Sequence, residues 1–88
     1  MHYYVYILKS CRAPDQTYIG YTSDLDARLK THNEGGCPHT SKFKPWELGW
    51  YCVFPEKFAA LAFEKYLKSH SGKAFANKRL IGDSIKTQ

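Results

Sequence analysis

The first apolar run, Tyr3-Tyr4-Val5-Tyr6-Ile7-Leu8, has no polar positions between its apolar ones. A strand with one wet face alternates. A run that is β-branched and aromatic on both faces predicts a central strand covered on both sides. Tyr4, Tyr6 and Leu8 then share one face, and Tyr3, Val5 and Ile7 the other. Pro14-Asp15 marks a turn within Ser10 to Gln16. Thr17-Tyr18-Ile19-Gly20-Tyr21 reads as a second strand, and the short connection admits a hairpin but no parallel crossover.

The period then lengthens. Ser23-Asp24-Leu25-Asp26 opens a helix, with Ser23 as cap and Asp24 and Asp26 at the positive end of its dipole. It runs to about Asn33 and stops at Gly35-Gly36. Leu25 and Leu29 form its buried stripe, and Arg28 and His32 lie one turn apart on a neighbouring face. Residues 35–45 read as a loop by composition. Residues 46–54 read as a third strand, ended by Pro55. Residues 56–70 make the longest helix, in which Phe58, Ala59, Ala62, Phe63, Tyr66 and Leu67 cover one broad arc. Ser71-Gly72 is expected to break it, residues 73–80 suit a short basic helix, and Gly82 to Gln88 a frayed tail. The order β-β-α-β-α-α implies an α+β domain over residues 1–80. Its core is a small mixed, mainly antiparallel three-stranded sheet flanked by helices, with residues 81–88 as a flexible tail.

Composition narrows the class. With 43% hydrophobic and 24% charged residues, the chain is outside the disordered range. No apolar run approaches the roughly 20 residues that cross a bilayer. The start, Met1-His2-Tyr3-Tyr4, has no secretory pattern, so a cytoplasmic protein is expected. Cys11, Cys37 and Cys52 are an odd number without C-x-x-C spacing, which argues against a disulfide framework, and Cys37 with His39 is poor support for zinc. The net charge of +5 is uneven: residues 1–55 hold 6 Lys/Arg against 5 Asp/Glu, and residues 56–88 hold 7 against 3. A basic second part suits a polyanionic partner through counterion release, although a soluble, charge-mixed face has the same composition.

Three features carry candidate chemistry, each with a plainer reading. Tyr6 and Tyr18 lie on paired strands, so their phenols can meet across the hairpin, or simply fill the core. Arg28 and His32 can face one anion, or sit on the polar side of an amphipathic helix. Glu64 falls roughly 150° from the centre of the aromatic arc at 100° per residue, which predicts a largely exposed carboxylate paired in solvent with Lys68.

Their order along the chain is more specific than any of them. Val5-Tyr6, then Tyr18-Ile19-Gly20, a helix with Arg28 and His32, and a later helix with Glu64 resemble the GIY-YIG nuclease family. The resemblance covers residues 2–80. The second half-motif is intact and the first is degenerate, with Tyr4-Val5-Tyr6 in place of Gly-Ile-Tyr. The chain looks most like the stand-alone single-domain bacterial branch and is similar to the amino-terminal nuclease domain of excinuclease C. The resemblance implies a metal-dependent endonuclease that hydrolyses DNA phosphodiester bonds in repair or recombination. The implied catalytic set is Tyr6, Tyr18, Arg28, His32 and Glu64, with one Mg²⁺ or Mn²⁺ on Glu64. Tyr6 becomes the candidate general base, helped by Tyr18 or His32, if positive charge lowers its pKa; His32 competes for that role. Asn77 is a loose match to a further family asparagine. Lys42 and Lys44 in the loop, with Lys65, Lys68, Lys73, Lys78 and Arg79, form the expected backbone-contacting surface for structured or single-stranded DNA, or RNA. A non-catalytic nucleic-acid-binding module on the same fold is the alternative, and a protein-interaction domain using exposed aromatics a third reading.

Overall fold

The structure, a computed structural model, describes residues 2–80; the expected tail, 81–88, lies outside the described residues. Three strands form an antiparallel sheet: β1 (Tyr3–Ser10), β2 (Thr17–Thr22) and β3 (Trp46–Phe54), in the spatial order β2-β1-β3. The apolar first strand is therefore central. Val5 and Ile7 pack on one face with Ile19, and Tyr6 and Leu8 on the other with Trp46.

Helix α1 (Leu25–Asn33) covers the Tyr6 face through Leu25 and Leu29. Asp24 caps it by accepting from the Ala27 N–H, so the expected cap at Ser23 is corrected by one residue. Gly35, at φ 79°, takes the left-handed turn that follows the helix. The stretch expected as plain loop contains a one-turn helix, α2 (Pro38–Ser41), which begins at the proline because its missing N–H has no partner to lose there. Helix α3 (Lys57–Lys68) and helix α4 (His70–Phe75), which runs on into a π-helical turn at Ala76–Leu80, cover the opposite face through Ala60, Leu67 and Ala76.

β3 serves both cores. Its less exposed residues alternate (Trp46, Leu48, Trp50, Cys52, Phe54), with Tyr51 and Val53 exposed between them, which in a regular strand puts all five on one face. In the sheet, Ile7 pairs with Trp50 and Leu8 with Leu48, so Gly49 is an extra residue. This bulge turns the strand over. Trp46 and Leu48 pack with Tyr6 and Leu8, whereas Trp50, Cys52 and Phe54 pack with Val5 and Ile7.

The break between α3 and α4 falls at Ser69, not at Ser71-Gly72. Ser69 has extended backbone; its hydroxyl donates to the Tyr66 carbonyl and accepts from the Gly72 N–H. Gly72 sits inside α4, where a Cβ would strike the Tyr66 carbonyl and the Leu67 backbone. The glycine thus acts as a close-packing residue at a helix corner. Replacing it with alanine is expected to cost about 2–3 kcal/mol, measured as a lower urea midpoint with an unchanged slope.

Candidate active site

β2 is an edge strand, and Gly20 at its middle pairs with Tyr6. A Cβ at Gly20 would stand 2.6 Å from the Tyr6 hydroxyl oxygen. The missing side chain leaves the space the phenol occupies. The Tyr6 hydroxyl continues past it to His32 Nε2, at 3.1 Å.

His32 is 1% exposed. Its Nδ1 lies 2.9 Å from Thr40 Oγ1, and the Thr40 hydroxyl donates to the Cys37 carbonyl at 3.3 Å. A hydroxyl has one proton to give. Thr40 Oγ1 therefore accepts from His32 Nδ1–H, and Nε2 is left to accept the Tyr6 O–H. Tyr18 closes this cluster: its ring centroid is 4.8 Å from that of His32 and 6.4 Å from that of Tyr6. The strand pairing holds the two phenols near each other, diagonally across the hairpin.

A cavity of about 420 Å³ opens beside Gly20. Tyr6, Tyr18 and Arg28 line it from the α1 side of the sheet, and Tyr3, Lys57 and Glu64 from the α3 side. The site thus wraps around the sheet edge and draws on both cores. Glu64 is the clearest correction to the helical pattern. Its side chain is 17% exposed, and it pairs with Lys68 at 3.1 Å while lining the cavity. The buried arc of α3 is Ala60, Phe63 and Leu67, with Glu64 beside it. This arc is turned roughly 100° from the expected one. Phe58 is 78% exposed and Tyr66 43%, and these two aromatics biased the pattern.

His32 is corrected too. It and Arg28 do not face one anion: Arg28 lines the cavity, while His32 lies behind Tyr6. Burial lowers the imidazole pKa, and the Arg28 charge lowers it further. Burial also pushes the Tyr6 phenol up to about 12, with Tyr18 adding to the shift and the Arg28 guanidinium opposing it by charge and hydrogen bonding. The expected lowering of the Tyr6 pKa by positive charge is thus outweighed by desolvation. At neutral pH both groups are uncharged.

The remaining candidates separate. Lys68, Lys73 and Asn77 line a second cavity of about 320 Å³ that shares Tyr18 with the first. Lys42 and Lys44 line neither cavity, and nor do Lys65, Lys78 and Arg79. Tyr4, the degenerate motif position, pairs its ring with Tyr51 at 6.1 Å and stays out of the Tyr6 cavity. Lys57, Tyr3 and Thr40 were not anticipated. Lys57 was legible in principle, seven residues before Glu64 and so on the same helix face. Tyr3 and Thr40 carried no such signal. The three cysteines are free, and among the described residues no group of three or more His, Cys, Asp or Glu gathers to hold a metal.

The GIY-YIG catalytic domain matches residues 2–79. The chain belongs to the GIY-YIG family. A UPF0213 protein of Streptococcus pyogenes serotype M5 is 39% identical over 72 residues, 81% of this chain and 76% of that one. The solution structure of a UPF0213 protein from Bacillus halodurans superposes with a TM-score of 0.58 at 33% identity, covering 100% of this chain and 95% of that one. The structure-specific endonuclease subunit SLX1 of Malassezia globosa is 40% identical over 76 residues, 81% of this chain but 17% of the relative's length. The GIY-YIG chain therefore spans a small part of the SLX1 proteins and most of the UPF0213 proteins.

Two outcomes test the geometry. An imidazole whose folded pKa is depressed takes up fewer protons than in the unfolded chain. Its contribution is therefore intact above the usual imidazole pKa of about 6.5 and is lost as pH falls below it. The urea midpoint is expected to drop between pH 7.5 and 5, with a smaller drop in His32→Gln. Gly20→Ala is expected to force the Tyr6 phenol off Nε2, costing about 1–3 kcal/mol, with the loss of the hydrogen bond read from the His32 ¹⁵N shifts.

Proposed function

We propose that this GIY-YIG domain is a divalent-metal-dependent endonuclease acting on DNA, with structured or single-stranded substrates. The carrying observation is the single cavity lined by Tyr6, Tyr18, Arg28 and Glu64 from two sides of one strand edge. Arg28 and Lys57 supply two cations and Glu64 one carboxylate, a balance suited to an anionic substrate.

The donor set fits Mg²⁺ or Mn²⁺. One hard carboxylate faces open space with no soft ligands around it, and Mg²⁺ commonly binds through one or two carboxylates while keeping several waters. Glu64 would hold the cation in place of Lys68, its partner in this structure. Once bound, such an ion stabilises charge on the scissile phosphate and the leaving oxygen.

The chain's own residues do the rest. Arg28 holds a phosphate through its planar fork of donors. Tyr6 serves the attacking water, but not as a preformed phenolate, given its raised pKa. Its oxygen accepts a proton from the water while its own proton passes to His32 Nε2 along the 3.1 Å hydrogen bond. Thr40 holds the tautomer that leaves Nε2 bare. Tyr6 and His32 therefore act in series instead of competing. A neutral imidazole with a depressed pKa is a weaker final acceptor, and the phosphate-bound state must supply the remaining driving force.

The experiment is nicking of branched, nicked and single-stranded DNA, with an RNA arm, in Mg²⁺ or Mn²⁺. Wild-type protein is expected to cut, and Glu64→Gln to cut about 10²-fold more slowly or worse. Equal cutting by Glu64→Gln would assign the cleavage to a contaminant. Salt-dependent binding without product at any metal concentration would favour a binding-only module.

A further inference from the structure

The second cavity is not needed for the hydrolysis just described. It lies beyond Tyr18, with Ile7, Ile19 and Ala76 as an apolar floor, and Lys68, Lys73 and Asn77 at its rim. Tyr18 stands between the two cavities and lines both. Lys68 joins them in a second way, since it pairs with Glu64 of the first while lining the second.

We propose that this second cavity receives the base of an unpaired nucleotide adjacent to the phosphate held in the first. The inference rests on the nuclease reading and deepens it by naming what the enzyme selects. Two observations point to a base instead of another phosphate. The floor is aliphatic, which an anion avoids and a π-face accepts. Asn77 brings an amide with both donors and an acceptor to the edge of a ligand seated there. The lysines then meet the phosphates on either side. At about 320 Å³ the cavity lies at the low end of the ~300–1,000 Å³ range of small-ligand sites. It admits one nucleotide, and a base held in a duplex stack reaches it only after leaving the stack. Preference for strand ends, flaps or gaps thus follows from pocket shape, without sequence reading.

The test is magnetic resonance on the full chain without metal. The probes are the thymidine dinucleotide pTpT and a counterpart in which one sugar lacks its base. The expected result is that pTpT shifts the Ile19 methyls and the Asn77 side-chain amide, whereas the abasic probe leaves these signals in place and shifts Arg28. Asn77→Ala, an exposed and structurally mild change, is expected to weaken pTpT about fivefold and the abasic probe not at all. Identical shifts from both probes, or pTpT shifts confined to Arg28, would overturn the base pocket while leaving the nuclease reading intact. Failure of both probes to perturb either cavity would overturn both readings.

Discussion

The hydrogen bond from Tyr6 to His32 ties the central strand to the helix that carries Arg28, and it runs through space that only a glycine at position 20 leaves open. Around it the polar groups form a closed series: phenol to imidazole, imidazole to Thr40, Thr40 to the Cys37 carbonyl. A buried polar series is stabilising only when every member has a partner. Among the described residues, no buried side-chain nitrogen or oxygen lacks one. Helix α2, short as it is, exists at the place where Thr40 must stand.

The architecture also explains how so small a domain builds a site with groups of opposite charge. A central strand buried on both faces gives two thin cores, one under α1 and one under α3. Neither core alone brings a guanidinium and a carboxylate together. They meet only at the edge of β2, where the cavity passes from one face to the other beside Gly20. The bulge at Gly49 complements this, allowing a single alternating strand to feed both cores.

Burial sets the chemistry of the site as much as charge does. The Arg28 guanidinium favours a phenolate, yet desolvation wins and Tyr6 stays protonated. The same burial keeps His32 neutral. In the proposed relay the proton ends on His32, so the charge created there is a buried imidazolium, held by its hydrogen bonds to Tyr6 and Thr40 and offset by the anionic phosphate in the neighbouring cavity.

Much of the fold was legible along the chain, because strand and helix periods are local. The two-sided apolar run marked β1 as central, Pro14-Asp15 marked the hairpin, and the order of tyrosines, arginine, histidine and glutamate carried the family. Local patterns also misled where they rested on hydrophobicity alone. Phe58 and Tyr66 pulled the expected face of α3 away from Glu64, since an aromatic can stay in water at a surface. The partnership of His32 with Thr40, the turning over of β3 at Gly49 and the arrival of Lys57 and Tyr3 at the cavity depend on contacts between distant elements. The sequence by itself determined which residues alternate and which repeat every turn. Only the tertiary structure decided which faces meet and how dry each group becomes, because packing angle and desolvation belong to pairs of elements and not to any one of them.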